Sequence, residues 1–332
     1  MIEAEINYYS YNSNSVWENS KLKTNVVRII DVILIVLPAF IIFALGYIGQ
    51  KKIGFDRKSI STSALYLMYP FLAFQTFYTN DITMDYAYIL IFCFLLMILL
   101  ILIVTIISRI KALKRSKSAA MILSSVFMNS GNYGVPIILF AYGEEGVHYA
   151  IIMMVIQSML MNTVGLYYAS KGSSTSTHRL KDSLLKIARM PINHAVLLGI
   201  IVQITNFNVP EFVMQAVNLV ADATIPTIMI VLGMQLASLT KGSVRWRDLS
   251  TVFSIRMIVS PIIAFLLTMA LGLNPLLSSI LVVLASMPTA ANTTMYSLEF
   301  NTEPQLVSYS TLLTTVASII TVPLVLWLVG AV

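Results

Sequence analysis

The chain has 332 residues, and only 11% of them are charged, against roughly 25% in a soluble domain, while 58% are hydrophobic. That composition excludes an ordinary water-soluble enzyme. The net charge of +6 does not point to nucleic acid either, because the basic residues sit in short loops between apolar runs.

Residues 1–28 are polar and rich in Asn, Ser and Tyr. They lack the basic-then-apolar order of a cleavable signal and read as an N-terminal extension. Apolar stretches follow, each long enough for a helix to cross a hydrocarbon core of ~30 Å. They are continuous rather than alternating, which favours helices over a barrel. Spans are predicted at 30–49, 59–78, 86–108, 118–142, 147–170, 192–207, 211–238, 249–272, 275–299 and 305–330. The fold class is therefore an all-α polytopic membrane protein of ten transmembrane helices. Cys93 is the single cysteine and lies inside the third span, so no intrachain disulfide can form.

Charge alternates along the loops. Lys51, Lys52, Arg57 and Lys58 follow span one, and Arg109, Lys111, Lys114, Arg115 and Lys117 follow span three. Lys171, Arg179, Lys181, Lys186 and Arg189 follow span five, and Lys241, Arg245 and Arg247 follow span seven. The intervening loops carry no Lys or Arg. The positive-inside rule makes the basic loops cytoplasmic and both termini extracytoplasmic, in a cell (plasma) membrane; Lys21, Lys23 and Arg28 oppose this with fewer charges. Residues 179–190 mix basic and apolar positions at helical spacing, which suits an interfacial amphipathic helix or an ordinary connector.

The connector, residues 171–191, divides the spans five and five, into 29–170 and 192–332. An odd number per half forces the halves into opposite orientations, an arrangement that recurs in secondary transporters. Spans two and seven each hold a central proline, Pro70 and Pro226. Spans four and nine are each interrupted by a polar cluster. The first holds Asn129, Ser130, Gly131, Asn132, Gly134 and Pro136, and the second Pro288, Thr289, Asn292, Thr293, Thr294 and Tyr296. Glycine and proline loosen a helix, and amides at that depth require partners. A broken helix leaves a half-helix N-terminus at mid-membrane, an anion-binding feature. The plainer reading is a pair of kinked, small-residue packing faces.

Asn129-Ser-Gly-Asn-Tyr-Gly-Val-Pro-Ile-Ile, followed by Ala141-Tyr-Gly, resembles the fourth span of the auxin efflux carrier family, within the bile/arsenite/riboflavin transporter superfamily. Tyr69-Pro-Phe-Leu-Ala-Phe, Gln157, Pro288, Leu298-Glu-Phe-Asn and Pro304 fit the same pattern in order and spacing. The resemblance, over roughly residues 30–330, implies two inverted five-helix repeats with helices four and nine crossing, a scaffold and a mobile domain, and members that can pair as homodimers. It also implies substrate contacts at Asn129 and Gln157. Ala73 stands where the plant exporters carry a serine, and the long plant-type cytoplasmic loop is absent, so auxin itself is not the expected substrate.

Asp222 falls inside span seven, where a buried carboxylate would suit proton coupling; a hydrogen bond near Pro226 or a position nearer the outer surface would make it structural. Arg256, about eight residues into span eight, either meets a substrate carboxylate or snorkels to the interface. No hydrolase, zincin or nucleotide-binding motif is present, so no catalytic residue, metal ligand or cofactor is assigned. The expectation is an alternating-access exporter or exchanger of a small organic anion such as a carboxylate, embedded in the lipid bilayer and without a nucleic-acid partner. Asn129, Gly131, Asn132, Gly134, Pro136, Gln157, Pro288, Thr289, Asn292 and Tyr296 form its expected site. A channel-like uniporter, or a carrier of a neutral or amino-acid-like metabolite, is the other reading left open.

Overall fold

The structure is a computed structural model and describes residues 34–173, 188–237 and 244–330. The polar extension and most of the 179–190 stretch lie outside the described residues. Among those described, regular structure is entirely helical apart from one isolated bridge. The helices are α1 (Leu34–Ile53), α2 (57–79), α3 (Met84–Ile110), α4 (Arg115–Val126), α5 (130–142), α6 (144–172), α7 (Pro191–Ile204), α8 (Glu211–Ala237), α9 (Trp246–Ala270), α10 (Pro275–Ala285), α11 (Ala291–Glu299) and α12 (Pro304–Leu328). Six continuous helical stretches are long and apolar enough to cross a membrane, among them 130–172, which contains both α5 and α6. α7 and α10 are shorter apolar helices.

α5 and α6 are joined at Gly143, where φ is +64° and ψ is −161°. That conformation is open to glycine and reverses the chain. Gly146 consequently faces Ile138, eight residues earlier; a β-carbon on Gly146 would lie 2.8 Å from Ile138 Cγ2. In a continuous helix those residues would be about 12 Å apart.

The helices form two groups. α2 packs on α7 and α8, and α1 joins them by backbone contact with α8. The second group holds α3 to α6 and α9 to α12, with α4 against α6 and α12, and α9 against α3 and α10. Exposed Leu, Ile and Phe side chains run along the outer faces of α1, α3, α7 and α9, as expected of surfaces facing lipid. Proline shapes several elements. In α2 and α9 a π turn, Ala64–Met68 and Ile255–Val259, ends just ahead of Pro70 and Pro261, which have no N–H to offer the preceding turn.

Candidate functional site

α4 ends at Val126 and α5 begins at Ser130; α10 ends at Ala285 and α11 begins at Ala291. The two unwound stretches cross and pair in antiparallel fashion. Asn129 donates its backbone N–H to the Pro288 carbonyl (2.8 Å), and Ala290 donates to the Phe127 carbonyl (3.0 Å), with Met128 opposite Thr289. Each break supplies the partners that the other lost by leaving the helix. Thr289 completes the joint: its N–H donates to Thr314 Oγ1 (3.1 Å) and its hydroxyl to the Ser124 carbonyl (2.6 Å).

The unwound residues are 127–129 and 286–290, slightly ahead of the positions where polarity alone places the breaks. Ser130–Gly134 is wound as a π turn. Pro136 sits at the start of the following helix, where a missing N–H costs nothing. Gly134 is there for packing, since a β-carbon would lie 2.6 Å from Leu284 Cδ2. Tyr296 donates to Asn162 Oδ1 (2.7 Å), tying α11 to α6. Gly134, Pro136, Pro288, Thr289 and Tyr296 therefore build the crossing and do not line the cavity beside it.

That cavity measures ≈80 Å³ and lies between the two helix groups. Asn129, Gly131, Asn132, Gln157 and Asn292 line it, and α2 contributes Tyr69, which polarity alone does not single out. Tyr69 donates to Asn132 Oδ1 (2.8 Å), and the Gln157 side chain is buried. Asn129 is 7% exposed, and its side-chain Nδ2 has no partner. α5 and α11 both begin at the cavity wall, with no side-chain cap and no acidic residue in the first turn. Their first N–H groups lack intrahelical acceptors, so both half-helices present positive ends there. No carboxylate lines the cavity.

Arg256 lies behind the crossing. It is fully buried, so it does not snorkel, and it does not line the cavity. One guanidinium nitrogen donates to the carbonyls of Ser125 and Val126 (3.2 Å each), at the C-terminus of α4. The other donates to Ser260 Oγ (2.5 Å) and to the Ala285 carbonyl, at the C-terminus of α10. Two helix C-termini, each equivalent to about half a negative charge, thus stand in for an acidic partner. The expected contact with a substrate carboxylate is replaced by these carbonyls.

A second cavity of ≈540 Å³ opens along the same seam. Its lining on and just after α2 runs from Leu72 to Asn80, whereas the smaller cavity touches Leu65 and Tyr69; the centres are offset by roughly 13 Å along the α2 direction. Asp222, Glu144 and His148 line the larger cavity. Asp222 is exposed there, so the burial expected of it is not found, because α8 turns that face toward the cavity.

Comparison with known proteins fits this architecture. Residues 31–326 match the family model described as membrane transport protein. The chain belongs to this family, that of the auxin efflux carriers. It is 30% identical over 314 residues to an uncharacterized transporter of Methanocaldococcus jannaschii, covering 90% of this chain and 98% of that one. A second uncharacterized transporter, from Methanothermobacter thermautotrophicus, is 25% identical over 300 residues, covering 89% and 95% of the two chains. The protein is thus a multi-pass integral membrane transporter, and the crossing of α4–α5 with α10–α11 is a feature of a family member.

Proposed function

We propose that this transporter carries a small organic anion of the carboxylate class by alternating access, as an exporter or exchanger. The observation that carries the reading is the unpaired, buried Asn129 Nδ2 in a cavity flanked by two uncapped half-helix N-termini and free of carboxylates. Such a cavity leaves the Asn129 donor unpaired and holds partial positive charge, and a carboxylate answers both. At ≈80 Å³ it holds a carboxylate group or two to three waters, so a larger metabolite requires the helix groups to part.

The reading includes ten crossings in two inverted repeats, 29–170 and 192–332, joined by 171–191. In it α1, α2, α7 and α8 form the scaffold and the remaining helices move. The basic loops face the cytoplasm of a plasma membrane, and the termini face outward. The larger cavity then opens to the outside. Its Glu144 and Asp222 repel an anion returning from outside, which disfavours rebinding from that side. The separation of the two cavities favours a carrier over an open channel.

Purified protein in proteoliposomes tests this. A panel of mono- and dicarboxylates should yield at least one with saturable flux and counterflow exchange. That substrate should also raise the thermal midpoint. Asn129→Ala should remove both effects while the protein stays folded. Flux that never saturates, or that survives Asn129→Ala undiminished, refutes the assignment.

A further inference from the structure

A separate cavity of ≈390 Å³ lies where α3 ends, α4 begins and α6 ends. Arg109, Arg115 and Lys171 line it, and no carboxylate does. Neither guanidinium has a hydrogen bond or ion pair among the described residues, whereas nearby Lys117 is paired with Asp248 at 2.5 Å. Three further observations converge on the same space. α4 is a twelve-residue helix with no side-chain cap and no acidic residue of its own in its first turn, so its first N–H groups have no acceptor from a capping side chain. Ser108 lines the cavity, is 6% exposed, and its hydroxyl has no partner. The third is an apolar strip leading away from the cavity along α3: Ile98, Leu102, Ile106 and Ile110 are all exposed at helical spacing.

We infer that this cavity binds the phosphate of an anionic phospholipid from the leaflet that faces the basic loops, with an acyl chain lying along α3. A phosphate supplies the acceptors that two guanidinium groups, an ammonium, a helix N-terminus and the Ser108 hydroxyl lack. The strip on α3 accounts for a lipid in preference to free phosphate, which has no apolar part. The level fits too. Lys171 lies 5.3 Å from the Tyr167 ring centroid and 5.8 Å from that of Tyr168, an arrangement of amphipathic side chains usual at a headgroup boundary. Because α4 runs from this cavity to the crossing, a bound headgroup would tether one end of the helix that Arg256 holds at the other. The inference stands independently of the carboxylate reading.

Native mass spectrometry of the full-length protein tests it, with phosphatidylglycerol or phosphatidylcholine titrated into detergent solution. The wild-type protein should bind phosphatidylglycerol at least about tenfold more tightly. The triple variant Arg109→Gln, Arg115→Gln, Lys171→Gln should lose that preference. Ser108→Ala, which removes no charge, should weaken it by a smaller factor. A control carrying Lys51→Gln, Lys52→Gln and Arg57→Gln, in another basic loop, should keep it. Equal binding of the two lipids by wild type, or equal loss in the control, overturns the proposal. So does inorganic phosphate at millimolar concentration displacing the lipid fully, which would mark a free-anion site.

Discussion

Tyr69 donates its phenolic hydrogen to Asn132 Oδ1 across 2.8 Å, and this bond joins α2 in one helix group to the start of α5 in the other. It occupies the acceptor end of the Asn132 amide and so leaves the donor end available at the cavity. A carboxylate would meet Asn132 as a donor, beside the unpaired Asn129 Nδ2.

Tyr69→Phe removes the hydroxyl alone. A net hydrogen bond contributes about 0.5–1.5 kcal/mol, so folding should be little affected in a chain of this size. With Asn132 free to rotate, carboxylate affinity should fall about five- to tenfold, since 1.4 kcal/mol corresponds to a factor of ten. Binding titrations followed by tryptophan fluorescence or calorimetry would check this, and unchanged affinity would remove Tyr69 from the site.

Gly131→Ala probes the same wall sterically. A β-carbon there would lie 3.0 Å from Met154 Sδ, 3.1 Å from Met154 Cγ and 3.1 Å from the Tyr69 hydroxyl. Methionine is flexible and can give way, but only into a cavity of ≈80 Å³. Binding should drop more than about tenfold while the thermal midpoint moves only slightly, an overpacking cost of ~1–3 kcal/mol at most. Adding Met154→Ala should recover much of the affinity. If the double variant binds no better than Gly131→Ala, the clash is not the cause.

Much of this architecture is legible in the sequence, and the exceptions share a cause. Asn, Gly and Pro in the middle of apolar runs mark the two breaks, because nothing else about a membrane helix calls for them there. Polarity does not reveal which of those residues face a ligand. Thr289 and Tyr296 are polar because the crossing needs hydrogen bonds to Ser124, Thr314 and Asn162, and the sequence alone does not separate that need from substrate binding. Tyr69 enters the sequence pattern only as the neighbour of Pro70, and a lone hydroxyl on an apolar helix carries no mark of a place at the cavity. Arg256 is harder still. Its acceptors are mainly backbone carbonyls about 30 and 130 residues away, which leave no side-chain signature.

Arg256→Ala should be the most damaging single change at the crossing. It strands the buried carbonyls of Ser125 and Val126 at the end of α4 and leaves the Ala285 carbonyl with the Ser260 hydroxyl alone. Each buried carbonyl left without a donor costs about 1–3 kcal/mol. Arg256→Lys keeps the charge without the planar fork and should recover only part of the loss. Millimolar guanidinium ion, well below denaturing concentration, should raise the thermal midpoint of Arg256→Ala and leave wild type unchanged. A variant as stable as wild type would show that the helix ends do not depend on this side chain.

The acidic lining of the larger cavity makes a kinetic prediction. Asp222→Asn combined with Glu144→Gln removes two negative charges from a vestibule that an anion must cross. Pairs of charges near a surface interact by about 1–2 kcal/mol at separations near 8–16 Å and an effective dielectric of 20. The concentration giving half-maximal exchange from that side should therefore fall about five- to thirtyfold at low ionic strength, and the effect should shrink at 0.5 M salt. The same constant measured from the opposite side should stay within about twofold. Symmetric changes, or none, would separate these carboxylates from the anion's path.

The interface between α1 and α8 is made backbone to backbone, and it should be intolerant of a single methyl group. A β-carbon on Gly233 would lie 2.0 Å from the Phe43 carbonyl oxygen, and one on Gly46 would lie 2.2 Å from the Ile230 carbonyl oxygen. Neither neighbour is a flexible side chain, so α1 as a whole would have to move away. Small residues are how membrane helices approach this closely, and the dispersion attraction across so short a gap is what holds the pair together. Gly233→Ala and Gly46→Ala should each cost at least about 1–3 kcal/mol, as overpacking ordinarily does. Gly49→Ala, on the same helix, meets only the Phe55 ring at 3.1 Å and should be mild because that ring can turn. Thermal midpoints in detergent, read by size-exclusion chromatography, should rank Gly49→Ala near wild type and the other two well below. If all three behave alike, α1 and α8 are not packed at these glycines.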